Sequence, residues 1–95
     1  PGGKRRRIYP MGINRARLEQ VIRELGVPAD VARDETEADT VLVLKSVYRK
    51  QPDRVEGVQT TGKPVYVLRT GTVERLREII ADLFGARTTG DFPGD

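Results

Sequence analysis

One stretch, Val41-Leu42-Val43-Leu44, constrains the fold more than any other. Four aliphatic residues in succession leave a β-strand no polar face, so a strand carrying them is covered on both sides. That is the situation of a central strand in a parallel sheet flanked by helices. The segment then continues as Lys45-Ser46-Val47-Tyr48-Arg49-Lys50. The most apolar run in the chain thus ends in cations, a hydroxyl and an aromatic ring.

The rest of the sequence supplies partners for such a strand. Arg7-Ile8-Tyr9-Pro10 reads as a short first strand, closed by Pro10 and Gly12. Asn14 suits a helix N-cap, and Leu18, Val21, Ile22 and Leu25 follow at helical spacing on one face. Gly26 supplies the exit and Pro28 blocks continuation. Ala29–Arg33 reads as a second strand, Asp34–Asp39 as an acidic turn, and Thr40–Lys45 as the third strand. Pro52 opens a second helix with Val55 and Val58 on its thin apolar face, ended by Gly62. Pro64–Leu68 forms a fourth strand, and Thr72 caps a third helix carrying Val73, Leu76, Ile79, Ile80, Leu83 and Phe84 inward.

Strands alternating with helices imply an α/β fold, a small three-layer sandwich. The expected sheet is four-stranded and mostly parallel, in the order 2-1-3-4, flavodoxin- or Rossmann-like, flanked by three helices. The six-residue link between strands two and three is short for a parallel crossover, so an antiparallel second strand stays open. The expected organisation is a basic leader over residues 1–7, one domain over 8–85 and a disordered tail over 86–95. The start at Pro1 reads as a fragment of a longer protein.

Composition excludes whole classes of chemistry. The chain has neither cysteine nor histidine, so disulfides, thiolate nucleophiles, imidazole bases and the usual zinc ligand sets are unavailable to it. No metal site and no cofactor are expected. No segment suits a bilayer span, and a cytoplasmic location is expected. Four of the 17 basic residues stand together at Lys4-Arg5-Arg6-Arg7, and without them the chain is near neutral against its 14 acidic residues. Such a run favours a polyanion partner or is simply a solvated leader.

In an open α/β sheet, ligands gather beyond the carboxyl ends of the strands, where helix amino termini favour anions. The residues expected there are Asn14, Arg15, Lys45, Ser46, Tyr48, Arg49, Lys50, Arg69 and Thr70, a candidate nucleic-acid or anion-binding rim. Solvation of the same charges is the plain alternative. Sharper motifs fail. Gly57–Lys63 has the glycine and lysine spacing of a phosphate-binding P-loop, but Pro64 stands where a hydroxyl must hold magnesium. A receiver domain would need an aspartate where Lys45-Ser46 stands, a phosphocarrier would need a cysteine, and a topoisomerase-primase metal site would need paired aspartates near Lys45.

Ile8-Tyr9-Pro10, Leu18-Glu19, Val27-Pro28-Ala29, Glu37-Ala38-Asp39, Val41–Ser46, Tyr48-Arg49, Gly62-x-Pro64–Val67 and Thr72 come in a familiar succession. Over Ile8–Gly85 the chain resembles the α/β segment of bacterial and plastid single-stranded nucleic-acid-binding proteins. These carry an AAA-type ATPase domain and a terminal Arg-x-x-x-His (R-3-H) domain. The resemblance implies a non-enzymatic accessory domain that contacts single-stranded RNA or DNA, any ATPase activity residing elsewhere. Its partners would be the nucleic acid and the ATPase and terminal domains of the same chain. The alternative is a protein-docking or oligomerisation module of that same protein.

Overall fold

The computed structural model describes residues 5–85. The chain order is β1 (Arg6–Met11), α1 (Arg15–Leu25), β2 (Ala29–Val31), β3 (Thr40–Leu44), α2 (Lys45–Lys50), α3 (Pro52–Gln59), β4 (Val65–Leu68) and α4 (Val73–Leu83). The expected leader residue Lys4 and the expected tail over 86–95 lie outside the described residues. The sheet order is β2-β1-β3-β4 and every neighbouring pair is parallel, as the sequence leads one to expect.

Side-chain alternation along β3 divides the interior into two layers. Leu42 faces α1 and α4, where it joins Ile8, Leu68, Leu18, Val21, Leu76 and Ile80. Val41 and Val43 face the other way, with Met11, Val55 and Val58. All three β3 side chains are fully buried, each worth roughly 1.5–3 kcal/mol relative to exposure. The second layer is thin, because α3 contributes only two buried valines. Caps define the two long helices. Asn14 Oδ1 accepts from the Arg17 amide at 3.0 Å, and Thr72 Oγ1 accepts from the Arg75 amide at 3.2 Å.

The short β2–β3 connection is parallel after all, and its chemistry explains how. Ala32 N–H donates to Ile8 O and Asp39 N–H to Arg7 O, so the link is stitched to the backbone of β1 as it crosses. The buried methyls of Ala32 and Ala38 lie in the α3-side layer beneath it. Asp34 folds the crossing by accepting from the Thr36 and Glu37 amides and from the Thr36 hydroxyl. With β2 only three residues long, eight linking residues suffice; at ~3.3 Å per residue they reach about 26 Å.

Several elements depart from expectation, β2 among them, which ends at Val31 and not at Arg33. β1 begins at Arg6 and runs through Pro10 to Met11. Pro10 is tolerated because alternate residues of β1 turn to opposite neighbours. Ile8 faces β2, so Pro10 does too, but β2 has ended by then. The missing N–H therefore breaks no ladder bond. The third strand stops at Leu44, not Lys45, and Lys45–Lys50 forms a separate short helix, giving four helices among the described residues instead of the expected three. Val47 of that helix rests on Gly12, whose φ of 81° is already left-handed; a Cβ at Gly12 would overlap Val47 Cγ2.

Gly12→Ala should therefore cost about 2–4 kcal/mol, from left-handed backbone plus overpacking. Val47→Ala in the same chain should restore part of the loss, as read by urea midpoints of the single and double variants.

Three exposed carboxylates are held below their ordinary range. Arg5 hydrogen-bonds Asp30, Arg77 and Gln20 hydrogen-bond Glu24, and the Thr36 hydroxyl followed by the Glu37 amide acts on Asp34. A depressed carboxylate contributes stability that is complete above its unfolded-state value and disappears as pH falls through the folded value. The thermal midpoint should stay level between about pH 5 and 8, there being no histidine, and fall below about pH 4. Asp30→Asn and molar salt should each flatten that acid limb.

Candidate functional site

The carboxyl edge of the sheet carries the amino termini of α1, α2 and α4. Leu44 and Leu68 are register partners on β3 and β4. Lys45 and Arg69, the next residues, consequently leave adjacent strands at the same level. Lys45 and Arg49 sit at i and i+4 on α2 and share a flank of it. Arg17 joins this group from α1, its Nη1 donating to Gly71 O at 3.2 Å across the loop that follows β4. None of Arg17, Lys45, Arg49 and Arg69 has a carboxylate within ion-pair distance among the described residues. Thr70 and Thr72 add hydroxyls 3.5 Å apart.

The other expected residues are distributed differently. Asn14 spends its side-chain oxygen on the α1 cap. Arg15 turns toward the end of β2, donating from Nη1 to Ala32 O at 2.9 Å. Ser46 is exposed on the first turn of α2, and Lys50 is exposed at its last residue. Tyr48 is half-buried against the α3-side core. Arg17 was absent from the expected set. Its position three residues after an N-cap, in the first turn of a helix at this edge, was the available signal.

The cleft that such sheets often open between their first and third strands is closed here. Val47 fills it against Gly12, and Ile13, itself buried, packs within 3.6–3.7 Å of where a side chain at Gly71 would start. An anion at this edge would rest on a shallow lip of cations and hydroxyls. Concave spaces occur elsewhere: a hollow of about 370 Å³ beside Arg5, Arg6, Thr40 and Phe84 at the opposite edge, and one of about 420 Å³ beside Glu35, Arg54, Val58 and Lys63. The cations there are engaged. Arg5 pairs with Asp30 at 2.7 Å, Arg54 with Glu35 at 2.7 Å, and Arg6 lies 5.2 Å from the Phe84 ring centre. Lys63 Nζ donates to the Glu35 and Thr36 carbonyls. Among the described residues no acidic cluster suits a metal ion, and no helix is long and apolar enough to cross a membrane.

Comparison with known proteins gives one match. The family model for phosphotyrosine protein phosphatase matches residues 6–84, from the first residue of β1 to the end of the α4 segment. No curated protein and no solved structure matches the chain. The match overturns the resemblance to the R-3-H nucleic-acid-binding proteins and, with it, the AAA-associated accessory role. That resemblance rested on a succession of short segments, none diagnostic alone, many of them strand cores and helix caps that an α/β fold of this topology needs in any case. The expectation of a non-enzyme falls too, since the matched family is one of phosphatases. Composition supports a narrower statement, that this chain offers neither thiolate nor imidazole. With its whole described α/β body matched, the chain belongs to the phosphotyrosine protein phosphatase family.

Proposed function

We propose that this phosphatase-family domain engages phosphotyrosyl protein as its substrate class, through the carboxyl edge of the sheet. The supporting observation is the coincidence of the family match over residues 6–84 with a lip of cations, Arg17, Lys45, Arg49 and Arg69, that have no carboxylate partner among the described residues. A phosphomonoester dianion meets there two or more charge-assisted hydrogen bonds, the strong kind of polar contact. The amino termini of α1 and α4 add a smaller attraction for the same charge. Thr70 and Thr72 supply neutral donors beside it.

The chemistry open to such a site is constrained by its side chains. With no cysteine or histidine in the chain, transfer of the phosphoryl group to a thiolate of this chain is closed. Hydrolysis by these residues alone would be direct in-line attack of water on phosphorus, the new P–O bond forming as the bond to the tyrosyl oxygen breaks. One proton of the water would be kept on the phosphate and the other would pass to the departing phenolate. Lys45, Arg49 and Arg69 would hold the equatorial oxygens where negative charge is spread. The mechanism invokes no cofactor. The domain would work in the cytoplasm, where ATP-dependent phosphorylation generates its ligand.

The test pairs binding with turnover. A phosphotyrosyl peptide should bind and its unphosphorylated twin should not, with affinity falling as salt rises. Lys45→Ala and Arg69→Ala should each weaken binding about tenfold or more, whereas Arg23→Ala, on an exposed turn of α1 away from this edge, should leave it unchanged. Release of inorganic phosphate from the same peptide measures hydrolysis directly. Equal affinity for the phosphorylated and unphosphorylated peptides would refute the assignment.

A further inference from the structure

β4 is an outer strand of the sheet. Val41 N–H donates to Pro64 O at 3.0 Å, and in a parallel ladder alternate residues turn their polar groups to the same neighbour. Tyr66 and Leu68 therefore also face β3, while the N–H and C=O groups of Val65 and Val67 point out of the sheet. No turn, cap or loop hydrogen bond among the described residues engages those groups. Val67 is also the one large hydrophobic side chain left exposed among the described residues, at 42%. Edge strands are commonly guarded by a charge or a bulge. Val65-Tyr66-Val67-Leu68 carries no charge, and its register with β3 is regular.

Cations stand at both ends of this open edge: Lys63 before it, its ammonium donating to the Glu35 and Thr36 carbonyls but paired with no carboxylate among the described residues, and Arg69 after it. They bear on what can occupy it. A second copy of the chain, added antiparallel with Val65 opposite Val67, would set Lys63 opposite Arg69 and bring like charges together. An extended peptide with acidic ends meets opposite charge at both. Arg69 also belongs to the lip assigned above to the phosphoryl group, so the edge and the lip form one continuous surface.

Resting on the phosphotyrosine reading, we propose that the substrate segment binds as a fifth strand along β4. Its backbone pairs with Val65 and Val67, an apolar side chain covers Val67, and its phosphotyrosine reaches the lip at Arg69 and Lys45. The required substrate is thus an extended, acidic phosphotyrosyl segment, one that a helix or a tight turn does not provide. Main-chain pairing supplies affinity without dictating sequence, and Val67 asks for one apolar neighbour of the phosphotyrosine.

A ten-residue acidic phosphotyrosyl peptide, an analogue of it N-methylated at alternate amides, and free phosphotyrosine are titrated into the chain while amide exchange is followed by NMR. The peptide should slow exchange at Val65 and Val67 tenfold or more. N-methylation should weaken binding about threefold to tenfold per lost bond. Val67→Pro removes an outward N–H and leaves the β3 ladder intact, so it should weaken the peptide by a similar factor and leave free phosphotyrosine unaffected. Should that variant fail to fold, the N-methylated peptide decides with the protein unaltered. Peptide binding with Val65 and Val67 exchange unchanged and N-methylation harmless overturns strand addition while the phosphotyrosine reading stands. Failure of both peptide and free phosphotyrosine to bind overturns that reading and this one together. Protection of the same amides without peptide, rising with protein concentration, overturns the proposal in favour of a second copy.

Discussion

Two-sided burial of β3 governs this molecule. Leu42 belongs to one core layer and Val41 and Val43 to the other, so neither helical layer can form its interior without that strand. The requirement also dictates where polarity can begin. The strand must become hydrophilic as soon as it leaves the sheet, and it does so at Lys45, on the edge shared by three helix amino termini. The cation lip is thus a by-product of burial in its position, though not in its composition. Carboxylates would have satisfied solvation equally well, and at this edge basic residues stand instead.

How far the sequence reveals the architecture depends on which force sets each element. α1 and α4 were legible because a capping side chain, a 3.6-residue apolar period and a stop coincide in each. Sheet order followed from the alternation of elements. α2 was missed because six residues cannot display a helical period, and Val47-Tyr48 after an aliphatic run reads as more strand. Its helical form depends on Gly12, more than thirty residues earlier, making room for Val47. The parallel crossover was doubtful for a similar reason: its stitches to Ile8 and Arg7 are backbone bonds, which leave no trace in residue identity.

The candidate site was legible in part. Lys45, Arg49, Arg69 and Thr70 lie at the carboxyl edge of the sheet, where topology alone leads one to expect them. Arg15 and Asn14 were right in position but are spent on backbone groups, which no spacing rule reveals. Tyr48 is half-buried against the thin α3 layer, to which α3 contributes only two buried valines, a packing that its place after an aliphatic run does not announce. The function was misjudged for a different reason. A basic rim on a small α/β domain attracts phosphate whether the phosphate belongs to a nucleic-acid backbone or to a modified tyrosine. Charge alone does not separate the two; the family match across the α/β body is what favours the second reading.

Pro10 has a consequence for how this sheet can change. A longer β2 would need a donor from residue 10 of β1, and proline has none to give. Growth on that flank is barred, and the sheet's outline stays stepped, low beside β1 and high at β3 and β4. One imide ring thus sets how far the β1–β2 ladder can run.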